Sequence, residues 1–251
     1  MRAILMKKKL VVTFVFTFFL SLTIFGTVFA DSINYTGIES ASRTDSYNYG
    51  PTVMIDGATT KMWWCAHNPN HHSAWDGDSI WYSSKTTDGG TWSTAQMVME
   101  VSASGWDSLD ICDPSVVKGA FAYNGHTYAY AMYYSAADAA VGPSNTQIGV
   151  AFSDNGTTWV KYAANPIITY AYFVTGGYGV GMQTAYNSNL SGSNITLAYF
   201  DATGSSAQPS FVVTSTDGIN FNIGGRQTLP APVAGVSIGD IAYSPTEGIW
   251  Y

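Results

Sequence analysis

The chain has 251 residues, of which 46% are apolar, 15% aromatic and only 11% charged, and its formal net charge is −7. A globular chain ordinarily has about 25% charged residues; here Tyr, Gly, Trp and small polar residues take their place. This composition suits a β-rich extracellular protein and argues against a helical bundle or a disordered chain. No nucleic-acid partner is expected, because the sequence offers no basic surface for phosphates.

The first 30 residues have the pattern of an export signal. A basic start, Arg2 to Lys9, precedes an uncharged apolar run from Leu10 to Phe29, and Val28-Phe29-Ala30 resembles a peptidase site. The run is long enough to span a bilayer, so an uncleaved anchor is the alternative. We predict a signal peptide at 1–30, a secreted or cell-surface location, and no other membrane span.

The remainder of the chain repeats itself at intervals of roughly 65 residues. Each repeat has two apolar strand-like runs joined by a Gly-containing turn, then two more around the pattern Ser/Thr-x-Asp/Asn-Gly-x-x-aromatic. The three copies of this pattern are 86–92, 153–159 and 215–221. Asp-Gly and Asn-Gly tolerate the positive φ of a tight hairpin, so Asp88, Asn155 and Asp217 are interpreted as turn residues.

A unit of four short strands predicts a blade of a β-propeller. A fourth copy begins at Asp240 and stops at Tyr251, so about three and a half blades are expected in a C-terminally truncated domain at 47–251, after a lead-in segment at 31–46. Cys65 and Cys112 could pair in an oxidising compartment or stay as two buried thiols, and the sequence leaves both open.

The propeller pattern also predicts where function should lie. Tight turns join the first strand of each blade to the second and the third to the fourth, so the longer loops 65–78, 135–147 and 201–209 share the opposite face, the mouth. Candidate catalytic carboxylates expected there are Asp78, Asp113, Asp201 and Asp240. Candidate substrate-binding residues are His67, Trp75, Trp106, Gln147 and Gln183.

Each candidate has a simpler interpretation. An Asp at a strand entry ordinarily caps that entry, and an Asp at a loop edge is ordinarily solvated. In a crowded set of carboxylates, however, the pKa of one member would rise enough to make it an acid. The spacing of His67, His71 and His72 fits no standard zinc motif, so a polar loop is the preferred interpretation. We expect neither a metal nor a cofactor.

The run Asp113-Pro114-Ser115-Val116-Val117, followed by 148–153 and by Asn155-Gly156 with Trp159, resembles the five-bladed propeller glycosidases. These are glycoside hydrolase family 43 and its relatives in families 32, 68, 117 and 130. The resemblance covers roughly residues 47–251 and implies an all-β, five-bladed β-propeller. The sequence has only two arginines after the signal segment, Arg43 and Arg226. It therefore lacks the arginine cluster of sialidase propellers.

The resemblance implies three acidic residues: a base on blade one, an Asp on blade two that orients the acid, and a Glu on blade three as general acid. Asp113 matches the second position, while Gly50 and Met182-Gln183 stand at the other two. The three Glu after the signal are Glu39, Glu100 and Glu247, and none is well placed. Another Asp at the mouth would have to substitute for the missing acid or base.

The resemblance therefore implies a secreted glycoside hydrolase that acts on poly- or oligosaccharides, most naturally arabinose- or xylose-type glycosides, through carboxylates at the mouth. The partner is then a carbohydrate, and the full-length protein is expected to be a monomer. The main alternative is a carbohydrate-binding propeller without turnover, which Gly50 and Gln183 would suit. A third hypothesis is a cell-surface structural module.

Overall fold

The computed structural model describes residues 48–70, 77–140, 146–170, 178–202, 209–229, 240–244 and 246–250. The predicted signal peptide and lead-in segment lie outside these residues, as do Trp75, His71 and His72. None of the described residues belongs to a helix that is long and apolar enough to cross a membrane.

Three four-stranded antiparallel sheets follow one another along the chain, each with its strands in sequence order. The first contains β1 (Asn48–Asp56), β2 (Thr59–His67), β3 (Asp78–Thr86) and β4 (Gln96–Met99). The second contains β5 (Asp110–Tyr123), β6 (His126–Ala137), β7 (Gln147–Ser153) and β8 (Val160–Lys161). The third contains β9 (Val180–Asn187), β10 (Ile195–Asp201), β11 (Ser210–Ser215) and β12 (Gln227–Thr228).

After the third sheet, β13 (Tyr243–Ser244) and β14 (Ile249–Trp250) form a two-stranded sheet, and the only helix among the described residues is a 3-10 turn at Ile223–Gly225. Each four-stranded sheet is one blade, so the repeat seen in the sequence is the structural repeat. We call these sheets blades one, two and three. The predicted all-β propeller architecture is confirmed.

The hydrophobic core lies between neighbouring blades. Strand β6 shows why: its alternating side chains point to opposite faces, as the period of a strand requires. Met132 and Tyr134 pack with Trp63 in the cluster between blades one and two, while Tyr133 packs with Leu197 in the cluster between blades two and three. Because both faces of the middle blade are buried, its strands are rich in aromatic and β-branched residues.

The repeated turns have the structural role predicted for them. In blade two the Asn155 Oδ1 accepts hydrogen bonds from the backbone N–H groups of Thr157 and Thr158, at 2.8 and 2.9 Å. The Ser153 hydroxyl accepts one from the Gly156 N–H at 2.8 Å. In blade three the Asp217 Oδ1 accepts hydrogen bonds from the N–H groups of Ile219 and Asn220 in the same way. These side chains replace backbone partners inside the turn, as Asx turns do.

The same turns connect successive blades. The Gly156 carbonyl accepts a hydrogen bond from Trp63 Nε1 of blade one at 2.6 Å, and the Gly218 carbonyl accepts one from the Tyr133 hydroxyl of blade two at 2.9 Å. Gly156 has a φ of +83°, and a Cβ there would lie 2.7 Å from the Trp63 ring. The turn glycine therefore serves both the backbone conformation and the close approach of the neighbouring blade.

The tight turns lie together at one end of each blade, opposite the longer loops. In blade one the Thr87 N–H donates to the Ala58 carbonyl at 2.9 Å, and in blade three the Ser193 hydroxyl donates to the Thr216 carbonyl at 3.1 Å. These contacts join the first turn of each blade to its repeated turn. The starts of β1, β5 and β9 therefore lie at the opposite end, where the sequence predicts the mouth.

A disulfide joins the first two blades near that mouth. Cys65 of β2 and Cys112 of β5 are bonded, with their Cα atoms 5.2 Å apart, and both residues are buried. Of the two alternatives left open by the sequence, the structure has the disulfide. The bond fixes β5 at the residue immediately before Asp113.

An ionic cluster joins blades one and two at the end opposite the mouth. The Asp56 carboxylate accepts hydrogen bonds from three donors: Lys61 Nζ at 2.8 Å, Lys118 Nζ and the Tyr130 hydroxyl. These donors, with Lys118 the strongest, hold the pKa of Asp56 well below its usual range. A lowered pKa means that the folded state prefers the ionised form, which contributes stability above the unfolded pKa.

Replacing Asp56 with Asn should therefore lower the free energy of unfolding by about 2 kcal/mol at pH 7. The difference from wild type should shrink as the pH falls below about 4, where the unfolded Asp binds a proton. Urea unfolding at pH 7 and pH 3 measures both effects. Asp154→Asn is the control, since its pair with His126 is exposed; an equal loss there would refute the special role of Asp56.

Candidate active site

A cavity of about 500 Å³ opens where the inner strands β1, β5 and β9 approach the segment at Asp240. Its lining contains two of the four predicted carboxylates, Asp113 and Asp240, together with Gln183. The cavity thus lies at the meeting point of the blades, where the sequence places the site. Asp78 and Asp201 do not line it.

The three inner strands share an irregularity at the cavity. Gly50, Asp113 and Met182 have positive φ values of 57°, 49° and 48°, and the pairing of each inner strand with the next strand shifts register at this point. A β-bulge of this kind re-aims the side chain at the bulged residue. The three blades therefore present equivalent positions to the cavity, and only blade two places a carboxylate there.

The Asp113 side chain is held by neighbours from two blades. The Tyr178 hydroxyl donates to its Oδ2 at 3.2 Å, and the Asp113 backbone N–H lies 2.8 Å from the Cys65 sulfur of the disulfide. Burial raises the pKa of Asp113, and the hydrogen bond from Tyr178 opposes this only in part. A buried carboxyl with a raised pKa in a cavity is a candidate general acid.

Gln183 supports the backbone of Asp113. Its Nε2 donates to the Asp113 carbonyl and to the Tyr133 carbonyl, the latter at 3.2 Å, while its Oε1 accepts from the Ser135 hydroxyl at 2.8 Å. The sequence predicts a substrate contact for Gln183. In the structure both ends of the buried amide are engaged by the protein, so these hydrogen bonds position Asp113.

Asp240 approaches the cavity from the chain that follows blade three. Its Oδ1 accepts hydrogen bonds from the Thr184 hydroxyl and, at 2.8 Å, from the Ile241 N–H. Asp240 is exposed, whereas Asp113 is half-buried. The cavity thus contains two carboxyl groups in different surroundings, which is how one fold separates an acid from a base.

A second group of carboxylates lies beside the cavity. Asp78 is buried at the start of β3, accepts a hydrogen bond from the Tyr49 hydroxyl, and donates its backbone N–H to Asp110 Oδ1 at 2.8 Å. Burial, with the nearby charges of Asp78 and Asp113, raises the pKa of Asp110 to about 7. Tyr49 lines the cavity and so connects this group to it.

Sequence reasoning missed Asp110. The spacing Asp110-x-x-Asp113 at the start of an inner strand is the signal that could have found it. Neither burial nor the closeness of Asp78 can be read from that spacing, because Asp78 comes from another blade.

Asp110 should make stability depend on pH. Its raised pKa means that the folded state holds the proton between about pH 4 and pH 7 while the unfolded state has lost it, so the free energy of unfolding should fall as pH rises through this window. In Asp110→Asn, which keeps an acceptor for the Asp78 N–H, the pH dependence should flatten. Melting temperatures from pH 4 to pH 8 measure this, and Asp88→Asn, in an exposed turn, is the control. Parallel curves for wild type and Asp110→Asn would refute the role of Asp110 in the pH dependence.

The remaining predicted residues lie around the mouth without lining the cavity. Asp201 ends β10, is buried, and has its Oδ2 3.8 Å from Arg226 Nη1. His67 is buried at the end of β2, where it pairs in register with Asp78. Gln147 is half-buried at the start of β7 and pairs with Ala136.

The sequence predicts that Trp106 binds substrate, and a loop setting would leave its ring exposed. In the structure the ring is half-buried, with its centroid 5.5 Å from that of Tyr134, and it lies so close to Gly149 that a Cβ there would be 2.4 Å from it. One part of the ring is therefore covered by blade two. Trp75, the other tryptophan predicted to bind substrate, lies outside the described residues.

The sequence matches no protein-family model and no curated protein. The fold does resemble solved structures. A thermostable family-43 glycoside hydrolase is 18% identical with a TM-score of 0.52, and Zg3597, a family 117 glycoside hydrolase from Zobellia galactanivorans, is 14% identical with a TM-score of 0.51. An N-acetylgalactosamine deacetylase from F. plautii, solved with blood group B trisaccharide, is 13% identical with a TM-score of 0.55.

These three similarities cover 78%, 74% and 83% of this chain, but only 64%, 56% and 63% of the respective solved chains. The chain thus spans less than two thirds of the length of each. At this level of identity the similarity is one of fold. The described residues form three blades and a further two-stranded sheet of a β-propeller, and the resemblance in fold to the five-bladed propeller glycoside hydrolases, drawn from the Asp113 segment, is confirmed at that level.

Proposed function

We propose that this chain is the propeller part of a secreted glycoside hydrolase acting on arabinose- or xylose-type glycosides, with Asp113 at the reaction centre. The observation that carries the proposal is Asp113 itself, a carboxyl group with a raised pKa on a bulged inner strand, lining the cavity where the blades meet. The fold shared with a family-43 glycoside hydrolase supports the reaction class.

Hydrolysis of a glycosidic bond needs one carboxylic acid to protonate the leaving oxygen and one carboxylate to activate water or attack the sugar. We assign the acid to Asp113, because burial favours its protonated form. Asp240, in the same cavity, supplies the second carboxylate. Tyr178 and Gln183 orient Asp113, through its side chain and its backbone respectively.

Secretion is supported by two features. The basic and apolar pattern of residues 1–30 is that of an export signal. The buried Cys65–Cys112 disulfide suits an oxidising compartment, since disulfides are rare where thiols are kept reduced.

The test is an assay of the purified secreted protein on arabinan, arabinoxylan and xylan oligosaccharides, with chromatography of the products and NMR of the anomer first released. Release of arabinose or xylose is expected. If the protein hydrolyses only other glycosides, the proposed reaction class stands and the proposed arabinose- or xylose-type substrate is contradicted. No release from any saccharide would contradict the enzyme proposal.

A second candidate function is carbohydrate binding without turnover. It is favoured by Gly50 and Met182, which occupy the two positions equivalent to Asp113 and offer no carboxyl group. Calorimetric binding of an oligosaccharide that remains intact after prolonged incubation would establish this alternative over hydrolysis.

A further inference from the structure

The described lining of the cavity contains carboxyl groups and no cation. Its described lining includes three ionisable side chains, Asp113, Asp240 and Tyr49, and no Lys, Arg or His. All five Lys and Arg residues after residue 47 belong to the described part of the chain, so each can be located.

Two of these cations lie at the far end of the blades. Lys61 and Lys118 both bind Asp56. Asp56 follows Gly50 by six residues of β1, about 20 Å along the strand, and it follows Val53, which lines the cavity, by three residues, or about 10 Å. Both distances exceed the Debye length of about 8 Å at physiological ionic strength, so their charge is screened at the cavity.

The other three cations lie on outer parts of the blades. Lys161 is on β8 with its Nζ 2.6 Å from Asp107, and Arg226 precedes β12, stacked 4.2 Å from the centre of the Phe211 ring. Strands β8 and β12 are outermost, three strand spacings or about 14 Å from the inner strands. Lys85 lies near the end of β3, over the ring of Trp92. None of these three residues lines the cavity.

The cavity also has an apolar side. Met182, Val53 and Tyr49 line it and remain 36%, 47% and 37% exposed. Carboxylates facing apolar groups match a sugar ring, whose hydroxyl edge is polar and whose C–H face is apolar. An acidic sugar would have to place its own carboxylate in the cavity with the Asp240 carboxylate, while Asp113, the proposed acid, is protonated.

From this arrangement we infer that the cavity selects saccharides without negative charge and rejects those that carry a uronate or sulfate at the bound ring. The inference rests on the proposed function, which makes the cavity a saccharide site. Like charges repel, and they repel several times more strongly in a partly buried site than in water. The acidic ligand should therefore bind at least about tenfold more weakly than its neutral counterpart.

The test compares three ligands of matched size by titration calorimetry: a xylo-oligosaccharide with a glucuronate branch, the methyl ester of that branch, and the same branch reduced to glucose. The two neutral forms should bind alike and the acid at least tenfold more weakly. This comparison separates charge from size. Equal or tighter binding of the acid would overturn the inference while leaving the saccharide site in place.

Variants with an added cation provide a second measurement. Met182→Arg, which keeps a long unbranched side chain at the cavity, should recover binding of the acidic ligand; Val53→Arg serves the same purpose if the first variant is unstable. The matched control is Leu190→Arg, 72% exposed in the turn at the other end of blade three, which should change nothing. Recovery in Leu190→Arg alone would also overturn the inference. Failure of the wild type to bind any saccharide would overturn the proposed function and this inference with it.

Discussion

Replacing Asp113 with Asn is expected to reduce glycoside hydrolysis by about 10²–10⁴-fold, the usual contribution of a general acid. Asn tolerates the positive φ of 49° at this bulge and keeps an acceptor for the Tyr178 hydroxyl, so the fold should survive. What it lacks is the proton that Asp113 would deliver to the leaving oxygen. Initial rates on the substrate identified by the oligosaccharide assay measure the effect.

Two controls make the Asp113 result interpretable. Asp88→Asn changes an exposed turn at the opposite end of blade one and should retain full activity, and a melting curve should show Asp113→Asn folded. In the carbohydrate-binding alternative the same variant weakens saccharide binding, with no hydrolysis to lose. If the protein is a structural module, Asp113→Asn changes neither hydrolysis nor saccharide binding. Full activity of folded Asp113→Asn would remove Asp113 from the reaction.

Removing the disulfide with Cys65→Ala/Cys112→Ala should lower the free energy of unfolding by about 4 kcal/mol, as the loop-entropy relation gives for a closure of this length. The bond links residues separated by 47 positions and joins blades one and two. Alanine avoids placing an unpaired hydroxyl in a buried site. Denaturant unfolding under non-reducing conditions measures the loss.

The same variant should disturb the cavity, since Cys112 immediately precedes Asp113 and the Asp113 N–H contacts the Cys65 sulfur. We expect a lower kcat at a temperature where the variant remains folded. Wild type reduced in denaturant and then refolded with the reductant still present should behave like the variant. A loss of stability under 1 kcal/mol would show that packing between the blades, and not the cross-link, holds β5 in place.

Much of the fold could be predicted because its signals are local. The Asp/Asn-Gly turns set hairpins through φ preferences that belong to a few adjacent residues, and the structure shows Asn155 and Asp217 capping those turns. Repetition of the same unit then identified blades without knowledge of how they pack. From the turn positions it followed that the inner strands begin at the mouth, which predicted Asp113 and Asp240 at the same end of the blades, and both line the cavity.

The site itself depended on contacts between blades, which no local pattern encodes. Only the tertiary structure decided that Asp113 and Asp240 line the cavity while Asp78 and Asp201 do not. It also decided that the half-buried Asp110 lies beside Asp78, and that both ends of the Gln183 amide are engaged by the protein.

The sequence by itself determined the all-β repeat, the turn chemistry and the end of the blades where carboxylates gather, since each depends on neighbours within a few residues. The tertiary structure decided the disulfide, the pKa values and the membership of the cavity. Desolvation and charge–charge interaction depend on distances between residues far apart in the chain. The β-bulges that aim Asp113 and Met182 arise from a register shift between strands, which is visible only when both strands are in place.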